Sequence, residues 1–157
     1  MGCTNKATVL ALIAGLVVPA LALAADNDHA TIQVTAVLAT NRAKAKPKAK
    51  EVDPRLHVLK SQLRRFPFRN YKLLRMESYD LRRSDQCGVE LPGSRYLQVT
   101  AVERTPQYLK LRIILNQNNR PVMAAQVSLQ GNSRVLLAGP RTDDGTLLVA
   151  IGAKEPR

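Results

Sequence analysis

Between Tyr71 and Ile151, apolar and polar residues alternate in short runs, and turn formers separate one run from the next. Arg95–Arg104 (RYLQVTAVER) puts Leu97, Val99 and Ala101 on one face. Tyr108–Leu115 (YLKLRIIL) sets Leu109, Leu111, Ile113 and Leu115 against Lys110 and Arg112. A period of two sends successive side chains to opposite sides of an extended backbone, so each run reads as a strand with one covered face. Val89–Leu91, Val122–Leu129, Arg134–Ala138 and Thr146–Ile151 continue the pattern. The breaks are Pro92-Gly93-Ser94, Asn116–Pro121, Gly131-Asn132-Ser133 and Asp143-Asp144-Gly145, all rich in residues that favour turns. The expected fold is mainly β, of the α+β kind. It would be an antiparallel sheet, a sandwich or a small barrel of about seven or eight strands.

The upstream part supplies the remaining elements. Thr31–Thr40 (TIQVTAVLAT) alternates Ile32, Val34, Ala36 and Leu38 against Thr31, Gln33 and Thr35, which predicts a strand with one buried face. Val52 to Phe66 predicts one amphipathic helix. Asp53 is suited to cap it and Pro54 to open it, while Leu56, Leu59, Leu63 and Phe66 form an apolar stripe that Pro67 ends. His57, Ser61, Arg64 and Arg65 fall on the opposite face. Tyr71–Arg83 predicts a long, bulged strand with Tyr71, Leu73 or Leu74, and Met76 turned inward.

Residues 1–24 carry a different signal. Lys6 precedes an uncharged stretch over 7–24, and Ala22-Leu23-Ala24 has the small-x-small pattern of a signal-peptidase site. The expected organisation is a signal peptide over 1–24, a polar start over 25–30, and one β-rich domain over 31–157. The mature chain is expected to contain no transmembrane span and to work in the periplasm or as a secreted protein. Cys3 precedes the apolar run rather than following it, and Lys6 occupies the position where myristoylation needs Ser or Thr. Cys87 is then the one thiol of the mature chain, too few for an internal disulfide or a multi-cysteine metal site.

Charge is concentrated. The chain has 24 Lys and Arg against 12 Asp and Glu, and 14 basic and 4 acidic residues fall between 42 and 83. Residues 42–50 (RAKAKPKAK) read as a solvated basic loop with nothing to bury. Such a concentration attracts anions and speeds encounter with them. Lys44, Lys46, Lys48, Lys50, Arg64 and Arg65 are the expected contacts for an anionic envelope component or an acidic protein partner. The aromatic residues of this region are few and at inward spacing, so no specific nucleic-acid recognition is expected.

The sequence offers little for catalysis. His29 and His57 have no partners at metal-ligand spacing, and Asp143-Asp144-Gly145 fits a hairpin turn better than a calcium loop. Glu77 and Asp80 point to opposite faces of a strand, which suits charge balance with Arg75, Arg82 and Arg83 rather than acid–base work. No catalytic, metal or cofactor site is expected. The alternative is a small exported hydrolase or thiol enzyme using Cys87 with a distant His57.

Thr35–Asn41 (TAVLATN), Val52–Leu56 (VDPRL), Glu90–Arg95 (ELPGSR), Ala138-Gly139-Pro140 and Gly145–Ile151 (GTLLVAI) together resemble a group of uncharacterised exported proteins of Gram-negative bacteria. The resemblance spans about residues 32–152. The group has no assigned activity, so the resemblance implies export and carries over no site residue. The basic stretch 42–50 departs from the group's pattern. Taken together, the sequence predicts a non-enzymatic binding or assembly module. Its contact would run through a sheet face or an exposed strand edge, guided by the basic region.

Overall fold

The computed structural model describes residues 29–41 and 51–154. The expected leader over 1–24, residues 25–28, and the basic segment 42–50 lie outside them. Among the described residues nine strands form two sheets: β1 (Ala30–Thr40), β2 (Glu51–Val52), β3 (Asn70–Leu81), β4 (Gln86–Leu91), β5 (Arg95–Arg104), β6 (Leu109–Gln117), β7 (Arg120–Leu129), β8 (Arg134–Thr142) and β9 (Gly145–Lys154). One sheet has the order β2-β3-β1-β9-β8 and the other β4-β5-β6-β7. All pairings are antiparallel except the short parallel contact of β2 with β3. The fold is therefore mainly β with a small helical element, as expected, and of the sheet, sandwich and barrel that the alternating runs left open it is the sandwich.

The route of the chain follows from its turns. From β3 to β9 each strand pairs with, or turns into, the next. The chain crosses between sheets after β3 and again after β7. Strand β1 is inserted between β3 and β9, so the first and last strands lie side by side. The β6–β7 hairpin turns at Asn118 and Asn119, both at positive φ (50° and 61°), the conformation that asparagine tolerates and that matches the twist of paired strands. Gly145 opens β9 at φ 147°. A Cβ there would approach the Ala39 carbonyl oxygen to 2.5 Å, so β9 can lie this close to β1 only through glycine.

Two hydrophobic layers result. Between the sheets pack Ile32, Val34, Leu97, Leu111, Ile113, Leu115, Leu147 and Ile151, together with further aliphatic residues from all eight long strands. On the outer face of the five-stranded sheet, Leu56, Leu59 and Leu63 cover Val37, Ala39, Tyr71, Leu148 and Ala150. β1 is consequently covered on both sides. The expected one-sided strand is corrected at Thr35 and Val37, which are buried on the second face, and at Leu38, which is only half-buried.

Two further expectations change. The helix predicted over 52–66 is shorter: a 3-10 run over Pro54–Leu59 continues into α1 (Lys60–Leu63), and Val52 belongs to β2. The apolar stripe survives because Leu56 and Leu59, three apart, eclipse in the 3-10 run, and Leu59 and Leu63, four apart, share a face across the α-helical turn. Met76 is exposed rather than inward. Ala36 opposes Arg75 but Val37 opposes Leu73, so Leu74 is the extra residue of a bulge that reverses which β3 side chains face the sandwich. Leu74 packs into the sandwich, whereas Leu73 joins the layer under the helical turn.

Candidate anion-binding pole

The helical turn after β2 is placed by its own residues. The Asp53 carboxylate accepts from the Arg55 amide (3.0 Å), and Pro54 begins the run where a helix has no use for the N–H that proline lacks. Burying Leu56, Leu59 and Leu63 against the sheet contributes about 2 kcal/mol each. The far end is held by Tyr71. Its hydroxyl donates to the Leu63 carbonyl (2.7 Å), which also accepts from the Phe66 amide (3.1 Å), and lies 3.3 Å from the Phe66 carbonyl. Burial pushes the Tyr71 phenol above its ordinary pKa, which keeps it a donor. Phe68 meets the same ring edge-on, with 6.4 Å between centroids.

With the leucines turned to the sheet, the outward side of the turn is basic. Arg55, Val58, Ser61 and Arg65 make one exposed row by their spacing, and Lys60 and Arg64 are exposed beside it. Exposed Arg69 stands at the start of β3, between β1 and β2: its amide donates to the Thr40 carbonyl (3.2 Å) and its carbonyl accepts from the Glu51 amide (2.8 Å). The acidic residues of this end are Glu51, Asp53 and, on the β8–β9 hairpin tip that turns beside Thr40, Asp143 and Asp144. Asp53 is engaged by Arg55, with Nη2 at 2.8 Å and Nε at 3.1 Å, and these hydrogen bonds lower its pKa to about 2. Lys60, Arg65 and Arg69 form no ion pair with a described carboxylate.

The same end of the sheet anchors the segment 42–50. Thr40, next to Asn41, opposes Asn70 from one side, and Glu51 opposes it from the other. Neighbouring strands are spaced about 4.8 Å apart, so Thr40 and Glu51, which flank Asn70, lie about 10 Å from each other. Lys44, Lys46, Lys48 and Lys50 themselves lie outside the described residues. Arg64 and Arg65 are exposed on the turn that packs over the same sheet end. Sequence reasoning overlooked Lys60 and Arg69. Lys60 stands four residues before Arg64, a spacing that was available to be read. The place of Arg69 depends on β3 pairing with β1 on one side and β2 on the other, which no local pattern encodes.

The other candidate groups are dispersed. Cys87 points from β4 into the sandwich and is buried, and burial raises its thiol to about 11, so at neutral pH it is protonated. His57 is exposed on the helical turn, on the far side of the five-stranded sheet, so the fold does not bring the two together. His29 accepts from Arg82 Nε (3.1 Å). Glu77 opposes Val34 and Asp80 opposes Thr31, on opposite faces as their spacing required. Glu77 pairs with Arg75 (3.2 Å) and accepts from the Tyr79 hydroxyl, while Asp80 accepts from Thr31 Oγ1 (2.6 Å) rather than balancing an arginine. Asp143 and Asp144 form the tip of the β8–β9 hairpin, where Thr142 Oγ1 donates to the Gly145 carbonyl (2.9 Å). Among the described residues no group of His, Cys, Asp or Glu could hold a metal ion, and no helix is long and apolar enough to cross a membrane.

No protein-family model, curated protein or solved structure matches the chain. The basic pole is thus the arrangement on which a functional reading has to rest.

Proposed function

We propose that this protein is an exported, non-enzymatic binding or assembly module. It acts in the periplasm or outside the cell after loss of residues 1–24, and its basic pole engages an anionic envelope component or an acidic protein. One observation carries the reading: both anchors of the lysine-rich segment 42–50 sit at the sheet end that also holds Arg69 and the Arg64–Arg65 turn. On this reading the lysines of 42–50 act together with Arg64, Arg65 and Arg69. A field built in this way raises the local concentration of anions and accelerates docking, most strongly at low salt. The strands that end each sheet, β8 and β7 among them, offer open backbone edges to which a partner's strand can add once it is captured.

The test replaces Lys44, Lys46, Lys48, Lys50, Arg64 and Arg65 with glutamine. Association with envelope fractions should slow and its dependence on salt should flatten, while circular dichroism and the unfolding midpoint stay as in the wild type. Unchanged binding to every envelope fraction would remove the electrostatic basis of the reading.

A further inference from the structure

Val58 is 54% exposed, more than any other large hydrophobic residue described, and it stands in the row of Arg55, Ser61 and Arg65 with Lys60 alongside. The leucines of the same turn already satisfy the sheet beneath it, so packing gives no reason for an aliphatic side chain on the outward crest. Phosphates of a nucleic acid or carboxylates of an acidic peptide would pair with the cations and leave Val58 in water. An anionic phospholipid surface serves both: its headgroups take the ammonium and guanidinium groups, and the boundary between headgroups and acyl chains takes the valine. The stems of Lys60, Arg64 and Arg65 can lie along that boundary with their charged ends kept outward.

From this juxtaposition we infer that the helical turn docks on anionic phospholipid, with Val58 entering the headgroup layer between Lys60 and Arg65. The inference rests on the basic pole being the binding region, and it specifies what that region binds. Each cation near such a surface is worth about a fivefold change in affinity. Covering the exposed half of a valine is worth about as much.

The experiment measures co-sedimentation of the protein with vesicles of phosphatidylcholine alone and of phosphatidylcholine with phosphatidylglycerol. Each variant is compared with the wild type so that any contribution of residues 1–24 cancels. Binding is expected to be much stronger to the phosphatidylglycerol vesicles than to phosphatidylcholine alone. It should weaken about fivefold in Val58→Ser and about a hundredfold in the triple variant Lys60→Gln, Arg64→Gln, Arg65→Gln. Val122→Ser, an exposed valine of the other sheet, should change nothing. The chain contains no tryptophan, so Val58→Trp supplies a lone reporter whose emission should shift to the blue on the anionic vesicles, while that of Val122→Trp should not. A Val58→Ser variant that binds as the wild type, with the triple variant impaired, would overturn insertion but leave the basic pole as a binding region. Equal binding to both vesicle types, or no binding to either while envelope fractions are still bound, would overturn the lipid assignment alone. Failure of the six-residue glutamine variant to alter any envelope binding would remove the broader reading as well.

Discussion

The two hydrophobic layers of this molecule are built from different resources. The layer between the sheets draws on all eight long strands and is closed by side chains such as Leu111 and Ile113 that water does not reach. The outer layer uses β1, β3, β8 and β9 from one side and three leucines of a short helical turn from the other, and its rim is formed by half-buried Phe66 and Phe68. The first layer defines the fold. The second fixes where the basic pole stands. A sheet can thus be stable through one face and present a site through the other, with β1 and β9 belonging to both.

Truncating one leucine in each layer is the strongest way to break this division. Leu111→Ala removes a side chain that is fully enclosed by neighbours unable to close the space, and about 3–5 kcal/mol of stability should be lost. Leu63→Ala empties a site near the rim, where Phe66 can settle inward, and about 2–3 kcal/mol is expected. Denaturant unfolding measures both. Proteolysis should separate them further, with cleavage between Glu51 and Arg69 rising in Leu63→Ala while β5 and β6 keep their amide protection. Equal global losses with no local opening would mean that the two layers unfold as one unit and that the division is only geometric.

A smaller effect should sharpen the comparison at Tyr71, where the outer layer relies on a polar contact. Tyr71→Phe keeps the ring and its edge-on contact with Phe68 but withdraws the donor from the Leu63 and Phe66 carbonyls. Losing a hydrogen bond of this kind costs about 1 kcal/mol, read as a lowered thermal midpoint. The sandwich layer, closed almost wholly by aliphatic groups, has no equivalent in its centre. A Tyr71→Phe variant as stable as the wild type would show that the leucines alone hold the turn.

The sandwich layer was also the more legible of the two. Arg95–Arg104 was read with the bounds it has, because strands with one face to water must alternate. On the outer side, local pattern and tertiary contact part company. Ala36-Val37-Leu38-Ala39 is a continuous apolar run, the mark of a strand covered on both faces, yet the alternation of Ile32 and Val34 before it suggested only one. The two residues of β2 have no period to detect and become a strand only by lying against Asn70 and Tyr71. The extra residue at Leu74 reverses the facing of Met76, and nothing local announces it. For the pole, the basic run 42–50 and Arg64–Arg65 stood out as composition. That Arg69 comes to stand beside Thr40 is a consequence of β1 pairing with β3 across about thirty residues of chain, beyond the reach of local reading.

The smallest expected effect concerns acid. The Arg55 side chain and amide hold the Asp53 carboxyl at about 2, below the 3.8 of an unperturbed aspartate. A carboxyl whose folded pKa is depressed contributes stability that is fully present above its unfolded value and is lost as pH falls toward the folded one. The cap of the helical turn should therefore hold at neutral pH and weaken between about pH 4 and 2. The carboxylate is open to water, which keeps the change small. The Arg55 amide, bonded to Asp53 Oδ1, is the reporter: its NMR shift should titrate with a midpoint near 2. Amides in the centre of β6 should not move over the same range, since the residues paired with them, Val99, Thr100, Ala125 and Gln126, carry no carboxyl. Asp53→Asn retains an acceptor for the cap but has no proton to gain, so the turn should persist and the titration should vanish. A midpoint near 3.8 at Arg55 would mean that Asp53 is free in solution, and the turn would then owe its place to the leucines beneath it and to Tyr71.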